Sequence, residues 1–118
     1  MKNKKINSIR KKLDNLDDKL LILFKKRTLL VDKILKTKKF KNQIIDKKRI
    51  NVILKRIKVK SIRRKIDPKI TNKIWKSIIA SYIAYEFRNF KKKLIIYYEV
   101  EVFFLQRLRV FLLMDYTL

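Results

Sequence analysis

Ile6–Lys38, INSIRKKLDNLDDKLLILFKKRTLLVDKILKTK, decides how this chain folds. Apolar residues recur in it at Ile6, Ile9, Leu13, Leu16, Leu20, Phe24, Val31 and Ile34, the three-and-four spacing that puts side chains on one face of an α-helix. Arg27 and Lys38 fall on that same face, where the spacing asks for another apolar residue. A charge on a buried stripe is costly unless it meets a partner, so the two cations read as the lining of an anion site inside a helical bundle. They point in nearly the same direction, roughly 16 Å apart along the helix axis. A helix from about Lys5 to about Lys38 spans about 50 Å. One small protomer cannot cover a stripe that long, so the pattern predicts a dimer.

The rhythm breaks at Lys39 to Gln43, which reads as a loop. A second helix is predicted from Ile45 or Asp46, carrying Arg49, Ile50, Ile53, Leu54 and Ile57 inward. Its basic end, Lys58 to Lys65, suits the negative pole of a helix. Asp67-Pro68 predicts the next helix start, because Asp caps orphan N–H groups and Pro is tolerated in the first turn. That third helix runs to about Lys92, with Ile70, Ile74, Trp75, Ile78, Ile79, Tyr82 and Glu86 inward. Glu86 lies about 20° from Trp75 on the helical wheel, so an acid also sits on an apolar stripe. The composition changes at Leu94: residues 94–118 hold no Lys, six of the thirteen aromatics, and a net charge of −1. The reading is a helical domain over 1–93 and an aromatic-rich tail over 94–118, an appendage of unassigned role.

Composition narrows the chemistry. The 118 residues suffice for one domain with a modest core. With no Gly and only Pro68, glycine-rich phosphate loops and tight hairpins are hard to build. With no Cys and no His, disulfides, thiol nucleophiles, imidazole bases and the usual zinc sites are excluded. What remains is a reaction without metal or cofactor, run by charge and positioning. The net charge of +24 is the ordinary signature of a nucleic-acid or membrane partner. Against that, Lys outnumbers Arg by 25 to 9, as adenine- and thymine-rich codons would give, and the lysines sit outward on every helix. A basic helical nucleic-acid-binding protein is therefore an alternative and not the leading reading. The basic N-terminus is followed by Arg10, Asp14 and Asp17, which interrupt any signal-peptide core. The expectation is a cytoplasmic protein with no membrane span.

Three runs together resemble a known family. Ile9-Arg10-Lys-Lys-Leu-Asp14-Asn-Leu-Asp17-Asp-Lys-Leu-Leu, then Phe24-Lys-Lys-Arg27, Val31 and Lys38, is similar to the first helix of the all-α chorismate mutases. Asp46-Lys-Lys-Arg49 resembles the start of their second helix, and Ile74-Trp-Lys-Ser-Ile78-Ile79 followed by Glu86 their third. The resemblance spans about residues 5–92. It implies a three-helix fold in an intertwined dimer, and the Claisen rearrangement of chorismate to prephenate in aromatic amino-acid synthesis. That rearrangement needs no nucleophile and no metal. Carried over by position, Arg27 and Arg10 would bind the two substrate carboxylates, Arg10 reaching across from the partner protomer. Arg suits the task because its planar fork pairs bidentately with a carboxylate. Lys38 would donate to the ether oxygen, with Glu86 opposite it. Arg49 would support the carboxylate side, Asp46 would sit beside the substrate hydroxyl, and Tyr82 is a further candidate for lining the pocket.

Two departures from the commonest pattern bear on the chemistry. Glu86 can help only in its neutral form, since a carboxylate would repel a bound dianion. Ile50 stands where many chorismate mutases carry a Glu that grips the hydroxyl. With Tyr82-Ile83-Ala84, it is closer to the isochorismate pyruvate lyases of the same fold, which form salicylate. Purely structural roles remain open: a dimer-seam salt bridge for Arg27, snorkelling for Lys38, an i,i+3 pair for Asp46 and Arg49, and a lysine partner for Glu86.

Overall fold

The computed structural model describes residues 2–90 and Arg107. The rest of the 94–118 tail lies outside the described residues. The elements are α1 (Lys2–Thr37), a 3-10 turn (Lys41–Gln43), α2 (Lys47–Arg63) and α3 (Pro68–Asn89). The described residues hold no strand, so the fold is all-α as the sequence predicts. The chain divides into two compact units, Met1–Ile34 and Leu35–Leu118.

The first unit is α1 as far as Ile34. Its stripe is open: Ile6, Ile9, Leu13, Leu16, Leu20 and Ile34 are each 43–54% exposed. Phe24, Arg27 and Val31 are half-buried. The burial expected of this face is thus not met within the first unit. Leu21, Ile22, Leu23, Leu29 and Leu30 are exposed as well, so α1 is apolar beyond a single stripe.

The second unit holds the core. Leu35, Ile44, Ile50, Ile79, Ile83, Phe87 and Phe90 form one buried cluster, with Ile45, Ile53, Leu54 and Ala80 packed against it. Each such side chain contributes about 1.5–3 kcal/mol relative to full exposure. α2 and α3 form the packed helix pair among the described elements. A buried hydroxyl pair joins them, Ser61 Oγ and Thr71 Oγ1 at 2.7 Å. Ser61 Oγ also donates to the Ile57 carbonyl at 2.7 Å, and Thr71 Oγ1 to the Pro68 carbonyl at 3.4 Å.

Local chemistry fixes the helix ends. Asp46 Oδ1 accepts from the Arg49 N–H at 2.9 Å, the N-cap of α2. Asp67 Oδ1 accepts from the Lys69 N–H at 2.9 Å, and Pro68 opens α3, as predicted. The α2 C-terminus closes without glycine. Lys65 takes φ 57°, while the Lys65 and Ile66 N–H groups reach back to the Ile62 and Ser61 carbonyls at 3.2 and 2.9 Å. This double closure usually places Gly at the left-handed residue. In the loop after α1, the Lys39 and Phe40 N–H groups donate to Gln43 Oε1 at 2.7 and 3.0 Å.

Three inward assignments are corrected. Arg49 is exposed, because the capped first turn of α2 turns Ile50 into the core, and Arg49 lies about 100° round the helix. Ile70 and Ile74 are 56% and 47% exposed. At that end α3 turns Thr71 and Lys76 inward instead, where Thr71 satisfies its hydroxyl on Ser61.

Candidate active site

Lys38 follows α1 directly, and its N–H closes on the Leu35 carbonyl at 3.1 Å. Leu35 is 9% exposed, so the helix end that carries Lys38 is pinned by a core residue. Glu86 sits on the buried face of α3, with Ile83 and Phe87 beside it in sequence and also buried. The Lys38 ammonium donates to Glu86 Oε1 at 2.9 Å. Their side chains are only 17% and 7% exposed. A charge-assisted bond removed from water in this way is strong, and removing either partner strands the other charge in a poorly hydrated place.

Tyr82 lies one turn before Glu86 on α3 and is half-buried. Its ring meets Tyr85 edge to face at 6.3 Å and 72°, a packing geometry that restrains both rings. Ile50, 3% exposed, belongs to the core cluster. Asp46 is exposed, with Oδ1 engaged on the Arg49 N–H. The i,i+3 relation of Asp46 and Arg49 is therefore a backbone cap. In the first unit, Arg10 is exposed and Arg27 half-buried.

The structure thus brings Lys38 and Glu86 together and puts Tyr82 one turn away on the same helix. It does not bring the Arg49 side chain inward. An open hollow of about 420 Å³ beside α3, lined by Lys69, Ile70, Lys73, Ile74 and Ser77, holds none of these residues. Among the described residues no group of three or more His, Cys, Asp or Glu is placed to hold a metal ion.

Sequence reasoning missed Lys76, which is 5% exposed on α3. The signal was available. Lys76 precedes Ile79 by three residues and Ile83 by seven, the same helical spacing that singled out Arg27 and Lys38 on the first helix.

Chemically, the pair offers an ammonium donor facing a carboxyl group across the width of one hydrogen bond. An oxygen placed between them could be met from both sides, by Lys38 and by the neutral form of Glu86. No described helix is long and apolar enough to cross a membrane. In comparison with known proteins, a family model described as chorismate mutase type II matches residues 9–87. No curated protein and no solved structure gives a significant match.

Proposed function

The chain belongs to the chorismate mutase type II family of isomerases in aromatic amino-acid synthesis, and from that premise we propose that Lys38 and Glu86 form the catalytic edge of its chorismate site. The observation that carries the proposal is the 2.9 Å ion pair between two largely buried side chains.

The rearrangement breaks the ether C–O bond of chorismate and forms a C–C bond within the same molecule, so no atom enters or leaves. Negative charge grows on the ether oxygen as its bond to carbon lengthens. A donor aimed at that oxygen acts more on the transition state than on bound substrate, and therefore raises the rate. In the resting chain the Lys38 ammonium is engaged with Glu86. In the proposed complex the ether oxygen takes the place between them. Lys38 redirects one N–H to it, and the neutral form of Glu86 donates a second hydrogen bond. A carboxylate at Glu86 would instead repel the substrate dianion.

The substrate carboxylates are assigned to Arg27 and Arg10, with Arg49 supporting that side from the exposed start of α2. Asp46 is assigned to the substrate hydroxyl, since its second carboxyl oxygen is not needed for the cap. Tyr82 lines the pocket. Arg10 would come from a second copy of the chain. The open apolar stripe of α1, six residues at 43–54% exposure, supports a homodimer in which paired α1 helices cover one another. The family match over residues 9–87 supports a catalytic domain spanning 1–93, to which 94–118 is added. A cytoplasmic location completes the proposal.

The test is a product assay on the purified chain, with chorismate and isochorismate supplied separately. The proposal expects prephenate from chorismate and no salicylate or pyruvate from isochorismate. Salicylate formation would instead assign the site to the lyase reaction, in line with the apolar Ile50 in the sequence.

A further inference from the structure

The outer face of α2 carries a concentration of positive charge that the proposed reaction does not absorb. α2 holds eight cations and no acid in 17 residues. α1, with 36 residues, sets twelve cations against four acids, and α3 sets four against one in 22. Charge is therefore densest on α2. Lys48, Arg49, Lys55, Arg56, Lys60 and Arg63 are all exposed there.

The lysine excess runs through the chain, but the arginines are ordered. Four of the nine lie between Arg49 and Arg64. Arg49, Arg56 and Arg63 recur every seven residues, which sets them within about 40° of one another and about 10 Å apart along the axis. Lys48 and Lys55 flank that row, and the five share an arc of about 120°. Val52 marks its middle, about 160–180° round the helix from the buried Ile50 and Ser61. The row thus points directly away from the core. By itself it costs helix stability. Arg56 and Lys60, four apart, and Lys55 and Lys58, three apart, set like charges side by side with no acid between them. A polyanion laid along the row removes that repulsion.

The chemistry of the face selects the polyanion. The apolar arc of α2 is committed to the core, with Ile50 inside the cluster and Ile53 and Leu54 packed against it, so that arc is not available to enter a bilayer. The outward arc offers two valines, Val52 and Val59, 50% and 42% exposed. α2 has no aromatic residue on which unpaired bases could stack. Guanidinium forks match phosphate oxygens bidentately. A helix about 10–12 Å across suits a major groove about 12 Å wide. From Lys48 to Arg63 the row is about 22 Å long, a span over which duplex DNA presents about thirteen phosphates.

We propose that the outer face of α2 is a docking surface for duplex DNA. Lys48, Lys55, Arg56 and Arg63 grip backbone phosphates and do not read sequence. The surface needs neither Lys38 nor Glu86 and stands apart from the reaction assigned above.

The experiment is fluorescence anisotropy of labelled duplex DNA titrated with the full chain, in two unrelated sequences and over roughly 50–200 mM salt. Micromolar binding is expected, equal within about twofold for the two sequences. The logarithm of the affinity is expected to fall against the logarithm of salt with a slope of about −4 or steeper. Lys48→Gln/Lys55→Gln/Arg56→Gln/Arg63→Gln is expected to weaken binding at least about tenfold and to lower the slope by about one for each cation removed. Taking the same number of exposed cations from α1, in Lys4→Gln/Lys12→Gln/Lys25→Gln/Lys33→Gln, is expected to leave the affinity within about threefold of the parent. Circular dichroism checks that each variant is folded. If the fourfold α2 variant does not fold, Arg56→Gln/Arg63→Gln carries the same comparison, with the slope lowered by about two. Equal losses in the α1 and α2 variants would overturn the proposal, because net charge alone would then set the affinity. So would a parent chain that does not bind duplex DNA, or one that binds vesicles of anionic phospholipid more tightly through the same α2 cations.

Discussion

Lys38 and Glu86, 48 residues apart in sequence, meet at 2.9 Å through an ammonium and a carboxyl oxygen. The sequence set each of them separately on an apolar face. Folding turns two isolated costs into one pair, and that pair is held by core residues on both sides, Leu35 on one and Ile83 and Phe87 on the other.

The first prediction concerns Glu86. If its neutral form donates to the ether oxygen, Glu86→Gln keeps that donor and carries no charge to repel the substrate dianion. It is expected to raise kcat/KM for chorismate at neutral pH, and steady-state kinetics of the two proteins decide this. A folded but inactive Gln variant would remove the neutral form of Glu86 from the reaction.

The second concerns α1. Leu16 is 54% exposed in the single chain, yet lies on the stripe assigned to the dimer seam. Leu16→Glu is expected to abolish association in sedimentation and to lower activity at least tenfold, because Arg10 would no longer reach its partner's site. A dimer of unchanged affinity would place the seam elsewhere.

The start of α3 and the end of α1 were legible because they depend on local chemistry: Asp67-Pro68 capped where predicted, and Lys39–Gln43 left the α-helix, whereas α3 ends at Asn89 and not near Lys92. The all-α class followed from the same periodicity. Facing was harder. Arg49, Ile70 and Ile74 were read inward, because periodicity ranks faces by apolarity and cannot see which arc the neighbouring helix covers. Ile44, at 2% exposure, gave no signal, since it follows a non-helical turn. Lys38 and Glu86 were recognisable as misplaced charges, but their meeting was not, because it depends on where α3 passes the end of α1.

Asp46 gives a third prediction, with two separable readouts. Asp46→Ala loses the cap on the Arg49 N–H and is expected to destabilise the chain by about 1 kcal/mol. Asp46→Asn keeps a capping oxygen and is expected to stay within a few tenths of a kcal/mol. Thermal unfolding of both variants checks the cap. A KM for chorismate raised by Ala checks the hydroxyl contact, and an unchanged KM would leave Asp46 a cap only.

Lys65 gives a fourth. Its left-handed conformation, φ 57°, costs a residue with a Cβ about 1 kcal/mol relative to glycine. Lys65→Gly is expected to raise stability by roughly that amount with activity unchanged, as measured by denaturant midpoint at constant slope. A destabilised variant would show that the Lys65 side chain has a role of its own.

The most direct test of the central claim is kcat for chorismate with Lys38→Met, compared with the parent chain and with Lys38→Met/Glu86→Gln, which leaves no stranded carboxylate. Removing a donor aimed at developing charge costs on the order of a hundredfold or more in kcat. The account predicts that loss in both variants, with the double variant folded by circular dichroism. A folded double variant whose kcat lies within about twofold of the parent would contradict it, since a donor worth so little is below the range that such donors contribute.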